Sequence, residues 1–103
     1  MATNRSTTWS NGPGDRYGAH DHAYDKVIVV VDGSSDFGLP GSAQVVSLRA
    51  GDRLELPAGT IHDARVGPDG VTCEETHVPV GTFSAVVVRE AERNRPAPPR
   101  RTG

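Results

Sequence analysis

Apolar residues along the chain fall into short runs and alternating pairs, which are typical of strands. Residues 27–31 are continuously apolar and β-branched, a pattern that predicts a strand covered on both faces. Leu54 and Leu56 alternate with Arg53 and Glu55, which is the period of two of a half-buried strand. No stretch shows a convincing helical repeat of apolar residues. The pattern therefore predicts an all-β domain.

Turn residues divide the chain into about seven or eight predicted strands. The strongest strand begins at a pair of histidines and spans residues 20–33, and a Gly-Pro-Asp-Gly turn is predicted at residues 67–70. The other main strands are predicted at 34–39, 43–48, 53–56, 61–66, 71–78 and 82–88. Short strands at a spacing of about 8 to 12 residues favour a sandwich or a barrel.

Length and composition indicate a single small domain. The chain has 103 residues, within the range of one domain. We expect a flexible N-terminal arm at residues 1–8, a barrel at 9–88 and a disordered, basic, proline-rich tail at 89–103. The last ten residues hold three prolines and no core residue, which is typical of a disordered segment.

Charge is distributed unevenly between the predicted barrel and the predicted tail. Residues 1–88 carry six basic and eleven acidic side chains, a net charge of −5. Residues 89–103 carry five arginines and two glutamates, a net charge of +3. The whole chain has a net charge of −2, so that no general attraction to nucleic acid is expected.

The cysteine count and the hydropathy of the chain bear on its location. Cys73 is the only cysteine, which excludes an internal disulfide and suits a reducing cytoplasm. No apolar stretch approaches the roughly 20 residues that span a membrane. The N-terminal segment lacks the apolar run of a signal peptide. We therefore expect a cytoplasmic protein with no membrane partner.

Two histidines stand one residue apart at the start of the strongest predicted strand. Because side chains alternate along a strand, His20, His22 and Lys26 share a face with Ile28 and Val30. If the last two point into a barrel, the first three do as well. Two imidazoles on one face, with their Cβ atoms roughly 6 to 7 Å apart, can reach a common metal ion.

A third candidate ligand lies on the far side of a predicted sharp turn. Pro57 and Gly59 end one strand, and such a turn can bring His62 across the barrel to the first two histidines. Three histidines with open positions suit a divalent transition metal, and iron, zinc, nickel, manganese and copper all remain candidates. In the alternative interpretation the pocket is metal-free, and the histidines act as hydrogen-bond donors or as a base.

The two stretches resemble the two sequence motifs of the cupins. The first motif is a glycine, five residues, His-x-His and a later glycine, matched by Gly14, His20, His22 and Gly33. The second is a glycine, five residues, Pro-x-Gly, two residues and a histidine, matched by Gly51, Pro57, Gly59 and His62. The resemblance covers roughly residues 9–88, and the two motifs together make it fairly specific.

The resemblance implies a single-domain double-stranded β-helix, or jelly-roll, barrel with a metal or a small molecule at its centre. In typical cupins the histidines of both motifs and a glutamate of the first hold a divalent metal, which carries over to His20, His22 and His62. The glutamate position is occupied by Lys26 and an asparagine position of the second motif by Val66. Some cupins, notably the thiol dioxygenases, have three-histidine iron sites.

A lysine in place of the acid changes the electrostatics of the expected site. A lysine and a divalent metal about 5 Å apart repel each other by several kcal/mol at an effective dielectric near 20. An anionic ligand that bridges both would relieve this repulsion, so we predict that Lys26 binds substrate. The alternative is a structural ion pair, for which Glu75 is the candidate partner because it shares a strand face with Cys73 and His77. We leave His77 out of the metal site.

These observations predict a metal-binding enzyme of the oxygenase or isomerase type that acts on a small molecule, with anions among the candidates. No catalytic residue is assigned. The alternatives are a non-catalytic module that binds a small ligand or a metal, and a metal-free barrel that works like the epimerase branch of the cupins. Because the odd-numbered residues of 27–31 also need cover, we expect a homodimer, as is common among small cupins.

Overall fold

The computed structural model describes residues 5–92, which form seven strands and one short 3-10 helix. The strands are β1 (Arg5–Asn11), β2 (Arg16–His20), β3 (Asp25–Leu39), β4 (Gln44–Arg49), β5 (Arg53–Leu56), β6 (His62–Val78) and β7 (Val87–Arg89), with the 3-10 helix at Pro40–Ser42. In this part of the chain every strand pair is antiparallel. The all-β prediction is confirmed, and no helix of the described residues is long and apolar enough to cross a membrane.

Two long strands, β3 and β6, run through both halves of the barrel. Their mutual pairing joins Lys26 to His77 at one end and Gly38 to Asp63 at the other. The first part of β3 also pairs with β5, and β5 in turn pairs with β7. The last part of β3 pairs with β4, while β1 and β2 pair with opposite ends of β6. Each end of the β3–β6 pair therefore carries its own set of shorter strands, and the two long strands are common to both ends.

Glycines at the middle of β3 and β6 let the two strands bend and approach each other. Gly33 and Gly70 have φ values of 75° and 78°, a region that side chains with a Cβ rarely adopt. A Cβ at Gly33 would lie 2.0 Å from the carbonyl oxygen of Gly70. The pairing register shifts at this point, as expected of a β-bulge. The bend turns one long ladder into the two faces that enclose the core.

The barrel interior is filled by apolar side chains from both halves. They are Ile28, Val30, Phe37, Leu39, Leu48, Leu54, Leu56, Ala64, Val66, Val71 and Cys73. The even-numbered residues of the apolar run face inward as predicted, because Ile28 and Val30 are 1% and 0% exposed. Among the odd-numbered residues, Val27 is buried, whereas Val31 is 53% exposed.

The strand predicted at residues 20–33 is in fact interrupted after His20. Residues 21–24 form a loop, in which the His22 carbonyl accepts a hydrogen bond from the Gly59 amide at 2.8 Å. The turn predicted at 67–70 is absent, since β6 continues through it. Gly67 permits this continuation, because a Cβ there would lie 2.1 Å from the Ser34 hydroxyl. Of the strand predicted at 82–88, only the last two residues belong to a strand, which is β7.

The structure extends the barrel beyond both expected boundaries. β1 begins at Arg5, inside the segment expected to be a flexible arm, because it pairs with β6 from Arg5 to Asn11. At the other end β7 includes Arg89, and the Ala91 amide donates to Asp52 at 2.9 Å. Residues 1–4 and 93–103, which hold the rest of the expected arm and tail, lie outside the described residues.

Candidate metal centre and ligand pocket

A cavity of about 220 Å³ opens into the barrel where β2, β3 and β6 meet. Its apolar wall is formed by Trp9, Tyr17, Ile28, Phe37 and Ala64. Its polar wall is formed by His20, His22, Lys26, His62 and Glu75. A cavity with apolar walls and a few converging polar groups is the usual form of a small-molecule site.

Three histidines from separate elements converge on this cavity. His20 ends β2, His22 lies in the following loop and His62 begins β6. The first and the last are direct partners in the β2–β6 pairing, which explains why their ring centroids are only 4.4 Å apart. Each of the three offers one nitrogen, and these nitrogens all lie within 4.8 Å of one another. The group can therefore hold a metal ion.

Backbone carbonyls orient two of the three rings. Nδ1 of His20 lies 2.8 Å from the Gly18 carbonyl, and Nδ1 of His62 lies 2.9 Å from the Thr60 carbonyl. A carbonyl only accepts, so that each Nδ1 carries the proton and each Nε2 has a lone pair. The hydrogen bonds thus set the tautomer in the same way as the outer contacts of metal-bound histidines do.

The Nε2 atom of His62 is buried and has no hydrogen-bond partner among the described residues. Burial without a partner is costly for a polar nitrogen, and structures rarely tolerate it without a reason. Burial is also the largest cause that lowers the pKa of His62 below its ordinary value, which keeps the ring neutral. A neutral imidazole with an unused lone pair is the form that binds a metal, so that the site fits one.

The third ring, His22, is held by side chains instead of by carbonyls. The Lys26 ammonium, which can only donate, lies 3.3 Å from Nε2 of His22, and the Tyr24 hydroxyl lies 3.1 Å from Nδ1. The Nδ1 proton is therefore donated to the Tyr24 oxygen. Burial, followed by the charge of Lys26, lowers the pKa of His22 to about 4.

Lys26 lies inside the barrel and is paired with Glu75, as the ion-pair alternative expected. The Lys26 ammonium is 2.5 Å from the Glu75 carboxylate, and the two side chains are 8% and 13% exposed. Glu75 reaches this position because it is opposite Ile28, whose even-numbered face points inward. The polar wall therefore contains both a cation and an anion beside the histidines.

His22 enters the pocket from a loop and not from a strand, which is where the sequence pattern predicts it. His22 lies outside the strand, so that the alternation of strand side chains does not apply to it. The loop carries the ring inward because the Gly59 amide holds the His22 carbonyl. Tyr24, which stacks on His22 at 5.0 Å and on His77 at 4.0 Å, was missed as part of this arrangement. His77 itself is outside the metal-ligand group.

Asp25 is a second residue that sequence reasoning missed. It lies on the opposite face from the pocket, as alternation predicts, yet it is only 1% exposed. Its carboxylate accepts hydrogen bonds from the Ala58 amide at 2.8 Å and the Phe83 amide at 2.7 Å. The hydrogen bond from the Phe83 amide, followed by the one from the Ala58 amide, lowers the pKa of Asp25. This carboxylate thus anchors the turn that leads to His62.

Cys73 is part of the apolar core. The thiol is fully buried, and burial raises its pKa to about 12. A thiol with so high a pKa is not a nucleophile near neutral pH.

Comparison with solved structures finds the same fold in several proteins. A cupin-2 domain-containing protein from Shewanella frigidimarina aligns with a TM-score of 0.63 and 20% identity over 77% of this chain and 72% of that chain. A protein of unknown function from Rhizobium leguminosarum aligns with a TM-score of 0.65 and 20% identity over 72% of this chain and 68% of the other. The cupin fold expected from the two motifs is confirmed.

A third similar structure is oxalate decarboxylase from Bacillus subtilis, a protein with Mn(II) centres. It aligns with a TM-score of 0.67 and 19% identity over 79% of this chain, but this chain spans only 22% of its length. No protein-family model matches the chain, and no curated protein matches it in sequence. The comparisons therefore establish the fold alone.

Proposed function

We propose that this protein binds a divalent metal through His20, His22 and His62 and acts on a small anionic molecule in the adjoining cavity. The observation that carries the proposal is the buried, unpartnered Nε2 of His62, which lies among two further imidazole nitrogens. A hydrogen-bond donor from the protein would satisfy this nitrogen equally well, but the described residues supply none.

The rest of the pocket suits a small anion. An ammonium has three N–H groups. Glu75 accepts one of those of Lys26, and His22 accepts a second only while its Nε2 binds no metal, which leaves at least one for a ligand. The remainder of the cavity, which has a volume of about 220 Å³, is lined mainly by apolar side chains and has room for a small molecule. The likeness to an oxalate decarboxylase supports a small carboxylate as the first ligand class to test.

The reaction that we propose is of the oxygenase or isomerase type. A bound divalent metal with open coordination positions would supply Lewis acidity toward substrate oxygens. Lys26 would orient the anionic end of the substrate, and the Trp9 and Phe37 side chains would keep its other end dry. Among the candidate metals, manganese has particular support from the Mn(II) centres of the structural neighbour.

Elemental analysis tests the metal site directly. The protein is purified without an affinity tag, and bound metals are quantified before and after incubation with Mn²⁺, Fe²⁺ or Zn²⁺. We expect about one metal per chain and its loss after alanine replacement of any of the three histidines, each of which supplies one ligand. His77→Ala, outside the ligand group, is the matched control. A wild-type chain that takes up no metal would exclude the proposed site.

One observation favours a second, metal-free function. Lys26, His22 and Tyr24 form a continuous hydrogen-bonded row beside the carboxylate of Glu75. Such a row can hold and move a proton, as an epimerase-type reaction without a metal requires. Turnover or ligand binding that is unchanged by a chelator would favour this function over the metal-dependent one, and binding without turnover would indicate a non-catalytic module.

The expected homodimer and cytoplasmic location form part of the proposal. The free, buried thiol of Cys73 suits a reducing compartment. We propose that the exposed side chain of Val31 on the outer face of β3 lies in the contact with a second copy. Light scattering of the purified chain, with Val31→Thr as the variant expected to weaken association, tests the dimer.

A further inference from the structure

The Lys26 ammonium occupies the nitrogen that His22 would offer to a metal. Nδ1 of His22 is bonded to the Tyr24 hydroxyl, so that Nε2 is the counterpart of the unprotonated Nε2 atoms of the other two rings. That atom accepts a hydrogen bond from Lys26 at 3.3 Å. One ring nitrogen has one lone pair, which cannot serve an ammonium and a metal ion at the same time.

Lys26 is held in this position without an unpaired charge. Glu75 neutralises it at 2.5 Å, and both side chains are largely buried in the polar wall of the pocket. The pair therefore lies against the three-histidine group on the side of His22. When a metal ion binds His22, Lys26 can no longer donate to that ring. The freed N–H group of Lys26 then faces a cavity that contains the positive charge of the metal ion.

We propose that Lys26 is an internal cation that holds His22 in the metal-free protein and is released to bind an anion when the three histidines take a divalent metal. This inference rests on the proposed metal site and extends it. Its consequence is positive cooperativity between metal and anion: the anion stabilises the released ammonium, and the release makes His22 available. Linkage requires that each ligand tighten the other by the same factor.

The wild-type chain alone can test the cooperativity. Metal-free protein is titrated with Mn²⁺ with and without saturating formate, and free Mn²⁺ is followed by its electron paramagnetic resonance signal. A titration without protein corrects for formate bound to Mn²⁺ in solution. We expect formate to tighten Mn²⁺ by about fivefold or more, a typical coupling between linked sites. No change in Mn²⁺ affinity would overturn the inference.

A double variant separates Lys26 from direct binding of formate to the metal. Lys26→Met with Glu75→Gln removes both charges of the pair together, so that the net charge of the pocket is unchanged. We expect Mn²⁺ to bind this variant about tenfold more tightly, because no ammonium competes for His22, and the effect of formate to disappear. A thermal melt confirms that the variant is folded.

The outcomes distinguish this inference from the metal site on which it rests. Equal Mn²⁺ affinity of the wild-type chain and the double variant, or the same formate effect in both, would overturn the role of Lys26 and leave the three-histidine site standing. Absence of Mn²⁺ binding in both chains, and of any other divalent metal, would overturn the site and the inference together.

Discussion

The Lys26 ammonium lies 2.5 Å from the Glu75 carboxylate, and the two residues come from the neighbouring strands β3 and β6. The cupin pattern has an acid at the position of Lys26. In this chain the carboxylate is instead supplied by the next strand, and a cation stands between it and His22. The Lys26–Glu75 pair has no net charge, whereas the single acid of the cupin pattern carries one negative charge, so that both the local charge and its arrangement differ.

Lys26→Glu should restore the acid of the cupin pattern and tighten metal binding. Two carboxylates would then lie side by side, so that the metal-free variant should be less stable than the wild-type chain, because like charges repel. Added Mn²⁺ should raise the melting temperature of this variant by more than it raises that of the wild-type chain. Lys26→Gln, which removes the cation without adding an acid, is the control. Loss of metal binding in Lys26→Glu would contradict the proposed position of the ligand group.

The stability of the metal-free protein should fall as the pH is lowered from about 6.5 to about 4. The pKa of His22 is about 4 in the folded chain and 6.5 in its ordinary state, so that the unfolded chain takes up a proton first. The pKa of His62 is shifted in the same direction by burial. Denaturation with urea at pH 7 and pH 5 measures the difference. His22→Gln should reduce the dependence on pH, and an unchanged slope would mean that His22 is not held neutral.

Deletion of residues 94–103 should leave the melting temperature within about one or two degrees, because these residues include three prolines and no core residue. Deletion of residues 89–103 is the informative comparison. It removes Arg89, which donates to the buried Glu55 at 3.1 Å. Burial raises the pKa of Glu55, and the hydrogen bonds from Arg89 and Arg53 outweigh it, so that the net pKa is lowered. The longer deletion should therefore cost stability, and a similar loss for both would show that residues 94–103 pack on the barrel.

The spacing of the histidines was the strongest signal in the sequence. A sharp turn at Pro57 and Gly59 was enough to predict that His62 would meet His20, and the two are direct partners across β2 and β6. The path of the chain around His22 was not predictable in the same way. It depends on a hydrogen bond from Gly59, a residue distant in sequence.

The length of the two central strands was also hidden from the sequence. Glycine and proline normally mark turns, and the segment at 67–70 has the composition of one. In the structure the same residues let β6 continue through a bulge, because Gly70 takes up a positive φ and Gly67 leaves room for Ser34. A turn and a bulge use the same residue types, and only the partner strand distinguishes them.

Gly33→Ala should destabilise the barrel strongly. The substitution places a Cβ 2.0 Å from the Gly70 carbonyl oxygen and adds the strain of a φ of 75°. Gly14→Ala is a matched control, because Gly14 has a φ of 74° but no atom within 4 Å of the place that the alanine methyl group would take. The control should cost about 1 to 2 kcal/mol for the backbone alone, and Gly33→Ala should cost more in urea denaturation. Equal losses would show that β3 and β6 separate at little cost.

Asp25→Ala should weaken metal binding even though its carboxylate faces away from the pocket. The Ala58 and Phe83 amides would lose their acceptor, and the turn that carries the chain to His62 would lose its anchor. We expect a lower melting temperature together with weaker Mn²⁺ binding at a temperature where the variant is still folded. Asp69→Ala, which removes an exposed carboxylate outside the pocket lining, is the control. If the two variants bound Mn²⁺ equally well, the position of His62 would not depend on Asp25, and the carboxylate would serve the stability of the barrel alone.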